Sequence, residues 1–204
     1  MKKRKVRVAV GLSGGVDSSL AAALLRKQDY EVFGVTMEIY DGSVIPKASA
    51  THACYGPGED EDIEMTAAVA DQLAIPLHVI DLHIEYREHV LSHFTREYLA
   101  GRTPNPCTRC NPLLKFGFLI EKARATGIAF DRFATGHYAQ VLKTDNGPRL
   151  ARAINKSKDQ SYFIYGIPAE KIGHLHLPLG SLTKPQVRQI ASQQRPLSSP
   201  SSTG

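Results

Sequence analysis

The stretch VAVGLSGGVDSS, residues 8–19, most constrains what this chain can fold into. An apolar, β-branched run over residues 6–10 leads into Ser13-Gly14-Gly15-Val16-Asp17-Ser18, and a helical pattern opens directly afterwards, over residues 18–27. Glycines let backbone approach a ligand closely, and the turn's amides together with an open helix amino terminus converge on one point, an anion site suited to phosphate. Asp17, in the first helical turn, is placed to bind Mg²⁺ beside that phosphate. The two standard nucleotide motifs both fail: no Gly-Lys-Ser/Thr completes a P-loop, and the glycine spacing is not GxGxxG. The absent lysine is the group that handles β/γ phosphates in γ-phosphoryl transfer.

Beyond the loop, short β-branched runs alternate with helical stretches, as a parallel α/β sheet requires. Strands are expected at 31–37, 77–81 and 132–135, and helices at 60–72, 86–99 and 113–126, with residues 102–111 as an interhelical loop. The rhythm then changes. Residues 139–143 and 149–153 flank TDNGP, and Asn-Gly between two such runs is a strong hairpin signal. Residues 157–193 read as mainly helical and 194–204 as a flexible tail. The expected architecture is α/β: a Rossmann-like parallel sheet with flanking helices over residues 1–140, followed by a small hairpin and helical region over 141–193.

Three cysteines, Cys54, Cys107 and Cys110, are too few and odd in number for a secreted disulfide framework in a 204-residue chain, so reduced thiols in a cytoplasmic protein are expected. No export signal or membrane span is read from the sequence. The formal net charge of +5 would attract a polyanion, or simply reflect surplus surface lysine. Its positions add something, because Lys2, Lys3, Arg4, Lys5 and Arg7 crowd the start and Arg149, Arg152, Lys156 and Lys158 crowd a later segment. Taken alone, NPCTRCN at 105–111 is an ambiguous CxxC. Zinc would need further ligands, since structural sites use four and no second CxxC exists. The acidic run at 59–62 reads as charge at a helix amino terminus.

SGGVDS resembles the pyrophosphate loop of the ATP pyrophosphatases, which adenylate a substrate and release pyrophosphate. TPNPCTRCN followed by Lys115-Phe116, ATGHYA at 134–139, KDQSYF at 158–163 and LPLGSLTKPQVRQIA at 177–191 together resemble the bacterial tRNA-specific 2-thiouridylase (MnmA) family, in order from residue 6 to about 191. The resemblance implies an adenine nucleotide alpha hydrolase-like fold and a tRNA-uridine 2-sulfurtransferase that adenylates O2 of the wobble uridine and replaces it with sulfur. It assigns Gly11, Leu12, Ser13, Gly14, Gly15, Val16, Asp17 and Ser18 to ATP, with Met37 and Gly136 completing that pocket. Asn105, Pro106 and Cys107 match the target-base loop, His137 a tRNA contact near the target base, and Lys158, Asp159 and Gln160 a further tRNA contact segment.

Cys110 matches the family's nucleophile, and a basic neighbour, Arg109, plus a following helix amino terminus would favour its thiolate. Some relatives carry aspartate at the position of Cys107, whose role stays open between sulfur handling and, with Cys110, ligation of a [4Fe–4S] cluster. Cys54 is a candidate third ligand or a bystander. The implied partners are tRNA and a persulfide sulfur donor protein. The family's persulfide-bearing cysteine lies beyond the region matching residue 191, so this chain is expected to bind ATP and to turn over poorly in thiolation. Other adenylating enzymes of the same loop class, a sulfur transferase for a different tRNA position, and a non-enzymatic ATP- and tRNA-binding fragment remain as alternatives.

Overall fold

The structure, a computed structural model, describes residues 4–42 and 55–193. Cys54 and the tail 194–204, both singled out above, lie outside the described residues. β1 (Arg7–Gly11), β2 (Glu31–Glu38), β3 (Leu77–Asp81), β4 (Arg132–Thr135) and β7 (Leu175–His176) form one sheet of order β3-β2-β1-β4-β7, and every pairing in it is parallel. A parallel sheet must be covered on both faces. Along β1, Val8 and Val10 join one apolar cluster while Ala9 joins another, so the two-residue period of the strand distributes its side chains to two separate cores.

The Val8 face is covered by α1 (Val16–Lys27), through Ala22, Ala23 and Leu25, and by α2 (Glu59–Gln72), through Val69 and Ala70. The Ala9 face is covered by two long, interrupted helices. α3 (His83–Tyr86) runs through a π-helical stretch, Arg87–Leu91, into α4 (Ser92–Leu99). α5 (Cys107–Cys110) runs through a second π-helical stretch, Asn111–Phe118, into α6 (Leu119–Ala125). Pro112 accounts for the second interruption: it lacks an N–H and its ring crowds the carbonyl four residues back, so the helix widens there.

Two expectations need correction. Residues 102–111 are not wholly an interhelical loop, because the helix begins at Cys107 and carries both cysteines in its first turn. Asn105 makes this start: its side-chain oxygen accepts the Cys107 amide at 3.0 Å, and its carbonyl accepts the Thr108 hydroxyl at 2.8 Å. Residues 157–193 are not simply helical either. Between the short α7 (Ser161–Ile164) and α8 (Ala169–Ile172) and the later α9 (Lys184–Gln193) the chain returns to the main sheet as β7. The Asn-Gly hairpin forms as read, from β5 (Ala139–Thr144) and β6 (Gly147–Arg152).

The chain order of the sheet reverses at β1, which pairs with β2 on one side and β4 on the other. Crevices open beyond the carboxyl ends of strands at such a switch point, and ligands bind there in open α/β sheets. Gly11 ends β1 and Thr135 ends β4, so the glycine loop and the ATGHYA loop face one another across that crevice.

Candidate nucleotide and base site

Gly14 takes a left-handed backbone, φ +69°, which turns the chain out of β1. Gly15 caps α1 without a side chain, and Ser18 and Ser19 both donate their hydroxyls to the Gly15 carbonyl, at 3.1 and 2.8 Å. Ser18 Oγ also accepts the Ser13 amide at 3.2 Å, closing the loop on itself. Gly136 presses against this turn. A Cβ built there would stand 2.6 Å from the Asp17 carbonyl carbon and 2.7 Å from the Ser18 nitrogen, so the β4 loop and the start of α1 are in backbone contact.

Two cavities open around this contact. The first, about 320 Å³, is lined by Gly11, Leu12, Ser13, Val35, Thr36, Met37, Ile39, Glu59, Asp62, Ile63, Thr66, Lys115 and Leu119. Its apolar walls and strand-end backbone suit a flat ring. The second, about 210 Å³ and more polar, is lined by Gly11, Ser13, Asp17, Ser18, Lys115, Thr135, Gly136, His137 and Gln160. Among the expected ATP residues, Gly14, Gly15 and Val16 line neither cavity and serve the turn instead. A cavity of about 740 Å³ between α1, the hairpin and β7 holds none of the glycine-loop residues.

His137 stands on the second cavity's wall, half-buried, with Nδ1 2.8 Å from the Thr135 hydroxyl and its ring 5.7 Å from that of Phe116. Burial, and secondarily the positive charge of Lys115, push its pKa down to about 3, so the imidazole is neutral at physiological pH. Nδ1 is engaged by Thr135, which leaves Nε2 for a ligand. Gln160 holds this loop from outside: its amide oxygen accepts the Tyr138 N–H at 3.0 Å while its own N–H donates to the Tyr138 carbonyl at 2.8 Å.

Asp17 is not idle. Its carboxylate accepts Lys184 Nζ at 2.7 and 2.8 Å and the Tyr138 hydroxyl at 3.0 Å, and Lys184 Nζ also lies 5.6 Å from the Tyr138 ring centre. Burial and the Asp17 charge raise the Tyr138 pKa, keeping it a proton donor. Sequence reasoning missed Lys184 as a site residue, though it lies in the matched LTKPQ stretch, because 167 positions separate it from Asp17. It also missed Glu59, read only as part of a charge cluster. Its carboxylate reaches back to accept the Ile39 amide at 2.9 Å and the Tyr40 amide at 2.7 Å, fixing the exit of β2 beside Met37. Desolvation outweighs those bonds and raises its pKa.

Asn105, Pro106, Cys107, Cys110, Lys158 and Asp159 line neither cavity. Cys107 is exposed and Cys110 half-buried against the Ala9-face core, one helical turn apart. Asn111, buried, donates its side-chain amide to the Cys107 carbonyl at 3.0 Å. The Arg109 guanidinium is taken by the His89 carbonyl at 2.5 Å, tying α5 to the preceding helix. No group of three or more His, Cys, Asp or Glu side chains able to hold a metal occurs among the described residues, so these do not make up the thiolate set of a [4Fe–4S] cluster. Asp17 supplies the single carboxylate that is the usual protein share of a Mg²⁺ site beside substrate phosphates, a carboxylate that Lys184 and Tyr138 engage in this structure. In the KDQ segment, Lys158 is exposed. Burial works against the Asp159 charge, but bonds from the Ala153 amide, Ser161 and Arg152 outweigh it and hold the carboxyl below its usual range.

Residues 6–200 match the family described as the tRNA methyl transferase HUP domain. The chain belongs to that family. This HUP domain is 47% identical over 192 residues to the tRNA-specific 2-thiouridylase MnmA of Endomicrobium trichonymphae, covering 93% of this chain and 53% of the relative. It is 40% identical over 195 residues to the enzyme of the same name from Geobacter metallireducens, covering 94% of this chain and 52% of the relative. It thus spans about half the length of these curated relatives. The HUP domain's fold is also that of a glutamine-dependent NAD⁺ synthetase from Acinetobacter baumannii in complex with ADP (TM-score 0.51, 18% identity, 95% of this chain and 29% of that one). A 4-thiouridine synthetase–RNA complex with bound ATP shares it as well (TM-score 0.51, 16% identity, 94% of this chain and 41% of that one). Among the described residues, no helix of this HUP domain is long and apolar enough to cross a membrane.

Proposed function

We propose that this chain is the nucleotide- and base-binding half of a tRNA-uridine 2-sulfurtransferase, acting with ATP and Mg²⁺ on the wobble uridine in the cytoplasm. The observation that carries the reading is the meeting of two cavities at the glycine loop, one apolar and ending at Met37, the other polar and faced by His137. Adenine in the first cavity sets the phosphates at the turn of Ser13, Gly14 and Gly15, whose amides and helix end favour anions. Mg²⁺ would be held by Asp17 in place of Lys184 and would offset phosphate charge. A uridine flipped out of its stack enters the second cavity, where neutral His137 offers Nε2 to the base edge.

Uridine O2 then attacks the α-phosphorus. The O2–P bond forms, the bond to the bridging oxygen breaks, pyrophosphate leaves with the electron pair, and the N3 proton is lost. A persulfide sulfur brought by a donor protein adds at C2 and AMP departs. Cys110 thiolate attacks the inner sulfur of the donor persulfide, leaving sulfur on C2 and forming a disulfide that an external thiol must reduce. Asn105, Pro106 and Cys107 would border the base, and Lys158 and Gln160 the tRNA.

The test is to incubate the chain with unmodified tRNA, Mg²⁺-ATP and a persulfide donor, then measure pyrophosphate and digest the tRNA for mass spectrometry. tRNA-dependent pyrophosphate release with any thiolation appearing as 2-thiouridine, and no thiolation by Cys110→Ser, is the expected result. Accumulation of 4-thiouridine, or no pyrophosphate, would overturn the reading.

A further inference from the structure

The loop lacks the lysine that other phosphate-binding loops supply, yet a cation is present where the two cavities touch. Their linings share Gly11, Ser13 and Lys115. Among the described residues lining either cavity, Lys115 is the one lysine or arginine. It is half-buried and has no carboxylate partner in the described structure, although Glu59 and Asp62 line the first cavity and Asp17 the second. Glu59 is occupied by the Ile39 and Tyr40 amides, and Asp17 by Lys184 and Tyr138.

Its position is fixed. Leu114 and Phe116, on either side, are both fully buried, and the Phe116 ring packs edge-on against Phe133 of β4 at 5.7 Å. The widened helix around Pro112 sets which side chains of this stretch face the crevice, and π-helical turns frequently mark such places. If adenine lies at Met37 and the β and γ phosphates lie at the turn, the α-phosphate falls between them, at the walls the cavities share.

We propose, resting on the nucleotide reading above, that Lys115 is a catalytic residue that binds the α-phosphate of ATP and stabilises the charge gathered there as uridine O2 attacks and pyrophosphate leaves. Its ammonium neutralises α-phosphoryl oxygens in the ground state and holds them more strongly as the bond to the bridging oxygen lengthens. It supplies from a distant helix what the loop itself omits, and at the phosphorus that reacts in adenylation.

Calorimetric binding of adenosine, AMP and Mg²⁺-ATP to the chain and to Lys115→Met and Lys115→Arg tests this. Lys115→Met should bind adenosine within about twofold of the unaltered chain and AMP roughly ten- to a hundredfold more weakly, the range of a hydrogen bond to a charged group. Its kcat for tRNA-dependent pyrophosphate release should fall about 10²- to 10³-fold, with partial recovery in Lys115→Arg. Equal AMP affinity in Lys115→Met, weakening of ATP without AMP, or parallel loss of adenosine would each overturn the assignment while leaving the nucleotide site standing. An unaltered chain that binds neither adenosine nor AMP would overturn the nucleotide reading and Lys115 with it.

Discussion

Gly136 is the residue on which the site's two halves press, and it has no room for a side chain. A methyl group at 2.6 Å from Asp17 and 2.7 Å from Ser18 meets backbone on both, which cannot swing aside. Gly136→Ala should therefore destabilise by about 1–3 kcal/mol through overpacking, read as a lower urea midpoint. Lys184→Met leaves Asp17 with Tyr138 alone. Both members of that pair are partly solvated, so the cost should be about 1–2 kcal/mol rather than that of a fully buried pair. His137 adds a pH dependence. Unfolded, it takes up a proton near pH 6.5; folded, it does not until about 3. Its contribution to stability is thus complete above about pH 6.5 and is lost as pH falls toward 3. Urea midpoints should drop more between pH 7 and pH 5 in the unaltered chain than in His137→Phe; equal drops would contradict the shift.

At the scale of elements, the cysteine helix depends on the asparagine before it. Asn105→Ala removes the acceptor of the Cys107 amide and should cost about 1 kcal/mol. Faster hydrogen exchange confined to the first turn of α5 would show it. This helix also marks where sequence reading stops short. β1 and α1 were legible because an apolar run, two glycines and a helical pattern follow within a dozen residues. The start of α5 was not, because Pro106 and Pro112 both read as breakers, whereas one stands at the cap and the other merely widens the turn. β7 was missed for another reason: two ladder residues, with proline two positions beyond, carry too little alternation to outweigh the helical stretches around them. At the site, the glycine loop was legible from local spacing, and His137 only through the resemblance that ATGHYA carries. Lys184 and Glu59 act across the fold, and local pattern cannot place them.

At the scale of the molecule, a third apolar cluster joins what the sequence divided near residue 140. Leu20 of α1 packs with Tyr138, Ala153, Leu179 and Val187, so the first helix, the residues flanking the hairpin and α9 share one core. Leu179 is fully buried, and Leu179→Ala should cost about 2–5 kcal/mol. Unfolding followed by circular dichroism and by tyrosine fluorescence should give one coincident transition; two would show that the later residues fold by themselves. The crevice between β1 and β4 has a further consequence, for the chain's birth. The walls of its polar cavity draw on Gly11 and on Gln160, so that cavity cannot form until the chain from one to the other has left the ribosome. The first cavity, by contrast, is lined by residues no later than Leu119, so the apolar half of the crevice is encoded ahead of the polar half.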